Sequence, residues 1–144
     1  MGSEMCIRDR DVPGAEAVLR GAVADFRQPS FRTAEQVRLL EHMLAGTLAA
    51  AGRHGEAVAI RRRMADAARA EHGENDPATN RAAKQLAEAL ALEAVATGDH
   101  PTAVRLWGML HDDAVRVLGP DDEETRRLAR ELEAVRAAAA APPR

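Results

Sequence analysis

Cationic side chains recur at one spacing along the chain. Arg38, Lys84 and Arg130 stand 46 residues apart, and Arg81 and Arg127 each stand three residues before the last two. Residues three apart share one face of an α-helix, so on helices these side chains would form a ladder of positive charge. A guanidinium can bind a carboxylate through two parallel N–H bonds. The ladder therefore predicts a surface for an acidic peptide or a chain terminus, and a solvated face is the alternative.

The other residues of reactive type do not combine into a site. His54 and His100 also stand 46 apart, but two imidazoles without a third ligand make a poor metal site, and each is placed to cap a helix. The acidic run 121–124 lies where a helix dipole stabilises negative charge. The chain carries no phosphate-binding glycine loop, nucleophile elbow or His-Glu-x-x-His motif. We predict a non-catalytic protein with no cofactor and no metal.

Threonine marks the register of the elements that would position the ladder. Thr33, Thr79 and Thr125 are 46 residues apart. Each has a candidate N-cap three residues before it and a leucine seven residues after it, namely Ser30 and Leu40, Asp76 and Leu86, and Asp122 and Leu132. A helix start and a core contact therefore repeat together, which is typical of a repeat array.

The turns repeat in the same register. Gly52 and Gly98 stand 46 apart, and each is placed to end one helix in a left-handed conformation. The spacing predicts helices at about 11–26, 30–50, 56–71, 76–96, 101–118 and 122–137. Alanine, leucine, arginine and glutamate dominate and tyrosine is absent, which favours helices over strands. We predict an all-α fold, an α-solenoid of antiparallel helix pairs with about six helices and a 46-residue period.

Apolar side chains at helical spacing define the expected core. The first helix has an apolar face that consists of Val18, Leu19, Ala22, Val23 and Phe26. The last helix carries Leu128, Leu132 and Val135 on one side. Trp107 stands 46 residues after Arg61 and is expected to pack between repeats, although an exposed partner anchor is the alternative.

The repeat unit resembles a known family. The run Leu118-Gly119-Pro120-Asp121, the threonine Thr79 with the pair Leu86-Ala87, and the turn residues Gly98 and Ala103 resemble the kinesin-light-chain type of tetratricopeptide repeat. The resemblance covers about residues 11–137. It implies a solenoid whose first helices line a concave face, and it implies protein–protein interaction.

The chain departs from that family in two ways. Its period is longer by about one helical turn, and the extra residues lie in the first helix of each pair. Where the family often carries paired asparagines that hold a peptide backbone, this chain has Arg38-Leu39, Lys84-Gln85 and Arg130-Glu131. The resemblance therefore places the cationic ladder on the concave face and makes acidic peptides the expected ligand.

The two ends suggest how the chain is organised. Residues 1–10 resemble translated sequencing-adaptor read-through, so we predict a non-native or disordered leader, then a repeat domain at 11–137 and a tail at 138–144. The first predicted helix aligns with the second helix of a repeat, as expected of an N-terminally truncated fragment. Its apolar edge is expected to be exposed, which makes a homodimer through this helix one expected partner arrangement.

Charge and composition bound the class of protein. The net charge is −3, which argues against direct contact with nucleic acid. Cys6 is the only cysteine, and no apolar run is long enough for a membrane span. We predict a cytoplasmic bacterial protein that acts as a protein–protein interaction scaffold or as the sensor arm of a larger signalling regulator. The alternatives are an effector-sensing arm of a DNA-binding transcription regulator and a self-assembly module.

Overall fold

A computed structural model describes residues 12–26 and 33–141 of the chain. This part is all-helical and contains no strand. Its six helices are α1 (Val12–Phe26), α2 (Ala34–Ala50), α3 (His54–His72), α4 (Pro77–Ala96), α5 (His100–Leu118) and α6 (Glu123–Ala140). The all-α prediction is confirmed for the described residues. None of these helices is long and apolar enough to cross a membrane.

Helix α2 begins at a reciprocal cap. The Oγ1 atom of Thr33 accepts a hydrogen bond from the backbone N–H of Gln36 at 3.3 Å, and the Gln36 side chain accepts one from the Thr33 N–H at 3.0 Å. This capping box satisfies two amides that a helix start leaves without partners. The prediction of Ser30 as the cap is wrong for this helix, because Gln36 pairs with Thr33. Ser30 itself lies outside the described residues.

Aspartates cap three of the later helices. Asp76 accepts from the N–H of Ala78 at 2.8 Å and Asp122 from the N–H of Glu124 at 2.9 Å, as the register predicts. Helix α5 is capped by Asp99, which accepts from the N–H of Thr102 at 3.3 Å. The prediction that His100 caps this helix is wrong, because a short carboxylate directly before the helix reaches the orphan amides more easily than an imidazole.

Positive-φ glycines close the turns at equivalent positions. Gly52 and Gly98 have φ values of 77° and 78°, and Gly73 and Gly119 both have 89°. A side chain is strained at such angles, so glycine is the residue that fits. Helices α3 and α5 begin 46 residues apart and also end 46 residues apart.

The helices form two compact units that meet inside α4, between Ala82 and Ala83. In the first unit, α2 and α3 enclose a buried apolar cluster that consists of Leu44, Ala45, Leu48, Ala57 and Ile60. Leu19 and Met64 pack against it from α1 and α3. Val18 is 71% exposed, so its predicted place in the core is wrong, and Phe26 lies among the side chains that are not described.

The second unit is built around Trp107, which is 1% exposed. Its buried cluster unites α4, α5 and α6 through Ala91, Ala94, Ala103, Leu106, Trp107, Ala114, Leu128, Leu132 and Val135. The predicted burial of Trp107 and of the α6 stripe is confirmed. Helix α6 continues to Ala140, so the predicted tail at 138–144 begins inside a helix.

Candidate partner-binding residues

In the first unit, the two predicted binding residues differ in their pairing. Arg38 lies on α2, and its Nη1 donates to Glu71 Oε2 on α3 at 3.1 Å. Both side chains are about half exposed, so the pair is in reach of water and of competing anions. Arg81, near the start of α4, is exposed and has no side-chain hydrogen bond or ion pair with any described residue.

In the second unit, Lys84 is engaged with the helix that follows its own. Its Nζ lies 2.7 Å from Asp113 Oδ2 on α5. Asp113 also accepts from Arg116, one turn later on α5. The hydrogen bond from Lys84 is the largest cause that holds the pKa of Asp113 below its ordinary value. The carboxylate therefore stays charged and continues to occupy Lys84.

Arg127 is the most heavily engaged of the predicted residues. Its guanidinium donates to both oxygens of Glu88 on α4 at 3.0 and 3.3 Å, and to both oxygens of Glu124 at 2.7 and 2.9 Å. The hydrogen bonds to Glu124 and Glu88 raise the pKa of Arg127 further above its ordinary value. Two forked contacts leave this side chain little capacity for an external carboxylate.

Arg130 lies three residues after Arg127 on α6 and is exposed. It makes no side-chain hydrogen bond or ion pair with the residues at 12–26 and 33–141. Of the five predicted residues, Arg81 and Arg130 are therefore the two whose charge is not already paired inside the described chain. Their guanidinium groups are the ones open to a forked contact with an external carboxylate.

The structure also contains a charge cluster that the sequence patterns did not single out. Glu16 on α1 is 9% exposed, and it accepts from Arg20 at 2.7 Å and from Arg53 in the turn between α2 and α3. Arg53 also donates to Glu56. The hydrogen bond from Arg20 is the largest cause that lowers the pKa of Glu16. The i, i+4 spacing of Glu16 and Arg20 was a visible signal, whereas the contact with Arg53 depends on the fold.

A second polar contact lies between α2 and α3. Arg61 donates from Nη1 to His42 Nδ1 at 2.6 Å, and Arg63 donates to the buried carboxylate of Glu41 at 3.3 Å. Burial, followed by the charge of Arg61, lowers the pKa of His42. The arginine run 61–63 was predicted to be mostly a solvated face, and two of its members instead contact α2.

The two histidines at equivalent turns are the first residues of their helices. His54 begins α3 in the first unit, and His100 begins α5 in the second. Among the described residues, no group of three histidine, cysteine, aspartate or glutamate side chains could hold a metal ion.

An open groove of about 850 Å³ lies between α1 and α2. Small and apolar residues line it, namely Val12, Ala15, Met43, Gly46, Thr47, Ala50 and Ala51. Met43 is 47% exposed and Leu39, one helical turn before it, is 60% exposed. Apolar side chains exposed along one helix face are a common property of interaction surfaces.

No protein-family model, no curated protein and no solved structure matches the chain. The functional argument therefore depends on the arrangement of its own side chains and on the spacing of its helices. Those features are charged residues open to solvent, an apolar groove in the first unit, and helix boundaries that recur after 46 residues.

Proposed function

We propose that the protein is a tetratricopeptide-like helical repeat that binds other proteins and has no catalytic centre. The observation that carries the proposal is the recurrence of local structure. Helices α3 and α5 share both boundaries at a spacing of 46 residues, and the glycines around them have matching φ values. Repeated helix pairs that stack as an α-solenoid present extended surfaces, and such surfaces are used for binding.

The proposed ligand is an acidic peptide segment or a carboxyl terminus of a partner protein. Arg81 and Arg130 support this choice, because both are exposed and unpaired among the described residues. A guanidinium binds a carboxylate through a planar fork. Arg38 and Lys84 could contribute only by exchanging Glu71 or Asp113 for the ligand, and Arg127 is held by two carboxylates.

The charge states of the acids favour binding over catalysis. The pKa values of Glu16, Asp99, Asp113 and Glu124 are all lowered, in each case chiefly by a hydrogen bond. A general acid needs a carboxyl pKa that is raised towards neutrality. These carboxylates instead remain ionised and hold arginines, lysines or helix amides in place. We further propose that the domain acts as the scaffold or sensor arm of a larger bacterial signalling protein in the cytoplasm.

The test of ligand binding uses a fluorescein-labelled peptide of alternating glutamate and glycine with a free carboxyl terminus, and a lysine–glycine peptide as the opposite-charge probe. We expect the acidic probe to bind and the basic probe not to bind. The double variant Arg81→Glu, Arg130→Glu should weaken binding at least about tenfold, because each reversal replaces attraction by repulsion.

The matched control is the double variant Arg62→Glu, Arg105→Glu. Both arginines are exposed, lie on α3 and α5, and give the same change in net charge. We expect it to bind the acidic probe within about twofold of wild type, since only the long-range field changes. Equal losses in the two double variants would mean that binding follows net charge alone, and the proposed site would be wrong. Absence of binding by wild type would reject the ligand class.

A further inference from the structure

Helices α1 and α2 leave an apolar surface uncovered. Val18 on α1 is 71% exposed, and Leu39 and Met43 on α2 are 60% and 47% exposed. The open groove described above lies between these two helices. No described residue covers these side chains, although they belong to the helices that form the core of the first unit.

The second unit has the same pair of helices with the corresponding surface covered. Helices α5 and α6 stand 92 residues after α1 and α2 in register, so that Leu110 and Val135 correspond to Val18 and Met43. Val135 is 5% exposed, and Leu110 packs against the buried cluster. That cluster includes Ala91 and Ala94 of α4. In the second unit, therefore, α4 supplies the covering helix that α1 and α2 lack.

The far end of α6 is uncovered in a complementary way. Ala45 and Leu48 of α2 are buried against α3, and Ala91 and Ala94 of α4 are buried in a cluster with α5. The residues at the same register on α6 are Ala137 and Ala140, and both are exposed. Helix α6 is thus a helix of the α2 and α4 kind whose packing face meets no following helix among the described residues.

The pairing of the cations points the same way. Arg38 pairs with Glu71 and Lys84 with Asp113, each an acid on the helix that follows. Arg130 is next in this series and has no ion pair within the described residues. The residue 46 positions before Glu71 in the sequence is Asp25. A second copy of the chain placed after α6 would therefore bring an acid at the register that Arg130 lacks.

We propose that two copies of the chain associate head to tail, with α6 of one copy seated in the groove between α1 and α2 of the other. The two surfaces match in kind, because each lacks the helix that the other provides. Alanines on α6 meet alanine and glycine in the groove, and small residues let helix axes approach closely. Such a contact is heterologous, so each copy keeps one unfilled surface and further copies can add. The self-association surface is distinct from the proposed peptide site, except for Arg130.

The experiment measures sedimentation velocity of the full chain over a concentration series. Wild type should show a weight-average mass that rises with concentration. Met43→Glu blocks the groove, and Ala137→Glu blocks the α6 face, so each variant alone should remain monomeric. An equimolar mixture of the two should form a 1:1 dimer and nothing larger, because one intact groove meets one intact α6. This result would distinguish head-to-tail contact from a symmetric one.

Three controls keep the outcome decisive. Met109→Glu changes an exposed methionine on α5, 59% accessible, and should associate like wild type. Leu39→Glu and Ala140→Glu repeat the two blocks at second positions, and circular dichroism checks that all variants are helical. Arg130→Glu should weaken association, and adding Asp25→Arg should restore it.

Several results would overturn the proposal. If wild type stays monomeric at every concentration, there is no head-to-tail contact. If Ala137→Glu still dimerises while Met43→Glu does not, the contact joins two α1–α2 surfaces. If the mixed variants do not pair, the surfaces are not complementary. Binding of the acidic probe by monomeric Met43→Glu would support the proposed function whatever the outcome here.

Discussion

Arg127 of α6 donates to both carboxylate oxygens of Glu88 on α4, at 3.0 and 3.3 Å, and the two residues are 39 positions apart in the sequence. Both side chains are about one-third exposed. The same guanidinium also holds Glu124, near the start of its own helix. A residue that the sequence pattern assigns to partner binding thus joins two helices of the second unit.

We therefore expect Arg127→Ala to lower the free energy of unfolding by about 1 kcal/mol, the upper range for a partly exposed ion pair. Arg127→Lys should fall between wild type and alanine, because an ammonium cannot make two forks. The control is Arg126→Ala, whose only ion pair is a 3.8 Å contact with exposed Asp121, and it should change stability by less than about 0.5 kcal/mol. Urea unfolding measures all three, and equal losses at positions 126 and 127 would contradict the structural role.

The fluorescence and stability of Trp107 test the core of the second unit. The indole is 1% exposed and its Nε1 has no hydrogen-bond partner. Its emission should be blue-shifted in the folded protein and shift to the red on unfolding. Trp107→Ala should lower the free energy of unfolding by about 3–5 kcal/mol through the cavity it leaves. Trp107→Phe should lower it much less, since no hydrogen bond is lost. Equal losses, followed by circular dichroism, would argue against this packing.

Two glycines of the second unit should respond to alanine in opposite directions. Gly98 has a φ of 78°, and a Cβ there is strained although nothing lies within 4 Å of it. Gly98→Ala should destabilise by about 1–2 kcal/mol. Gly108 lies inside α5 with open space at its Cβ position, so Gly108→Ala should stabilise by up to about 1 kcal/mol. Thermal unfolding of both variants checks the signs, and a common sign would contradict the turn geometry.

The helices were largely predictable from the sequence because their signals are local. Asp76 and Asp122 cap helices through their own next few amides, and Gly52 and Gly98 take the conformation that their turns require. Val18 shows the limit of such reasoning. It belongs to an apolar stripe, but a stripe does not say which part of a helix face a neighbour covers, and 71% of Val18 is exposed.

The pairing of the charged residues could not be predicted from spacing. Arg38, Lys84 and Arg127 look equivalent to Arg81 and Arg130 in the sequence, and only the first three meet an acid among the described residues. Their partners are 33, 29 and 39 positions away, so the contacts depend on how helices pack. Glu16 was missed for the same reason, since its contact with Arg53 spans 37 residues. Local patterns identify cations on a helix, whereas tertiary packing decides which remain available for a partner.

The last prediction concerns acid sensitivity in the first unit. Arg61 donates to Nδ1 of His42, which requires that this nitrogen carry no proton. Burial is the larger cause and the Arg61 charge the smaller one that lower the pKa of His42 from 6.5. A histidine whose folded pKa is depressed adds stability above its unfolded pKa, and this stability is lost as the pH falls below about 6.5. Unfolding at pH 7.5 and 5.5 should show this loss in wild type and a smaller loss in His42→Gln. An NMR titration should place the pKa of His42 below its ordinary value and move it only partly back in Arg61→Ala, because burial remains. A His42 pKa at or above 6.5 in the wild-type protein would contradict the contact.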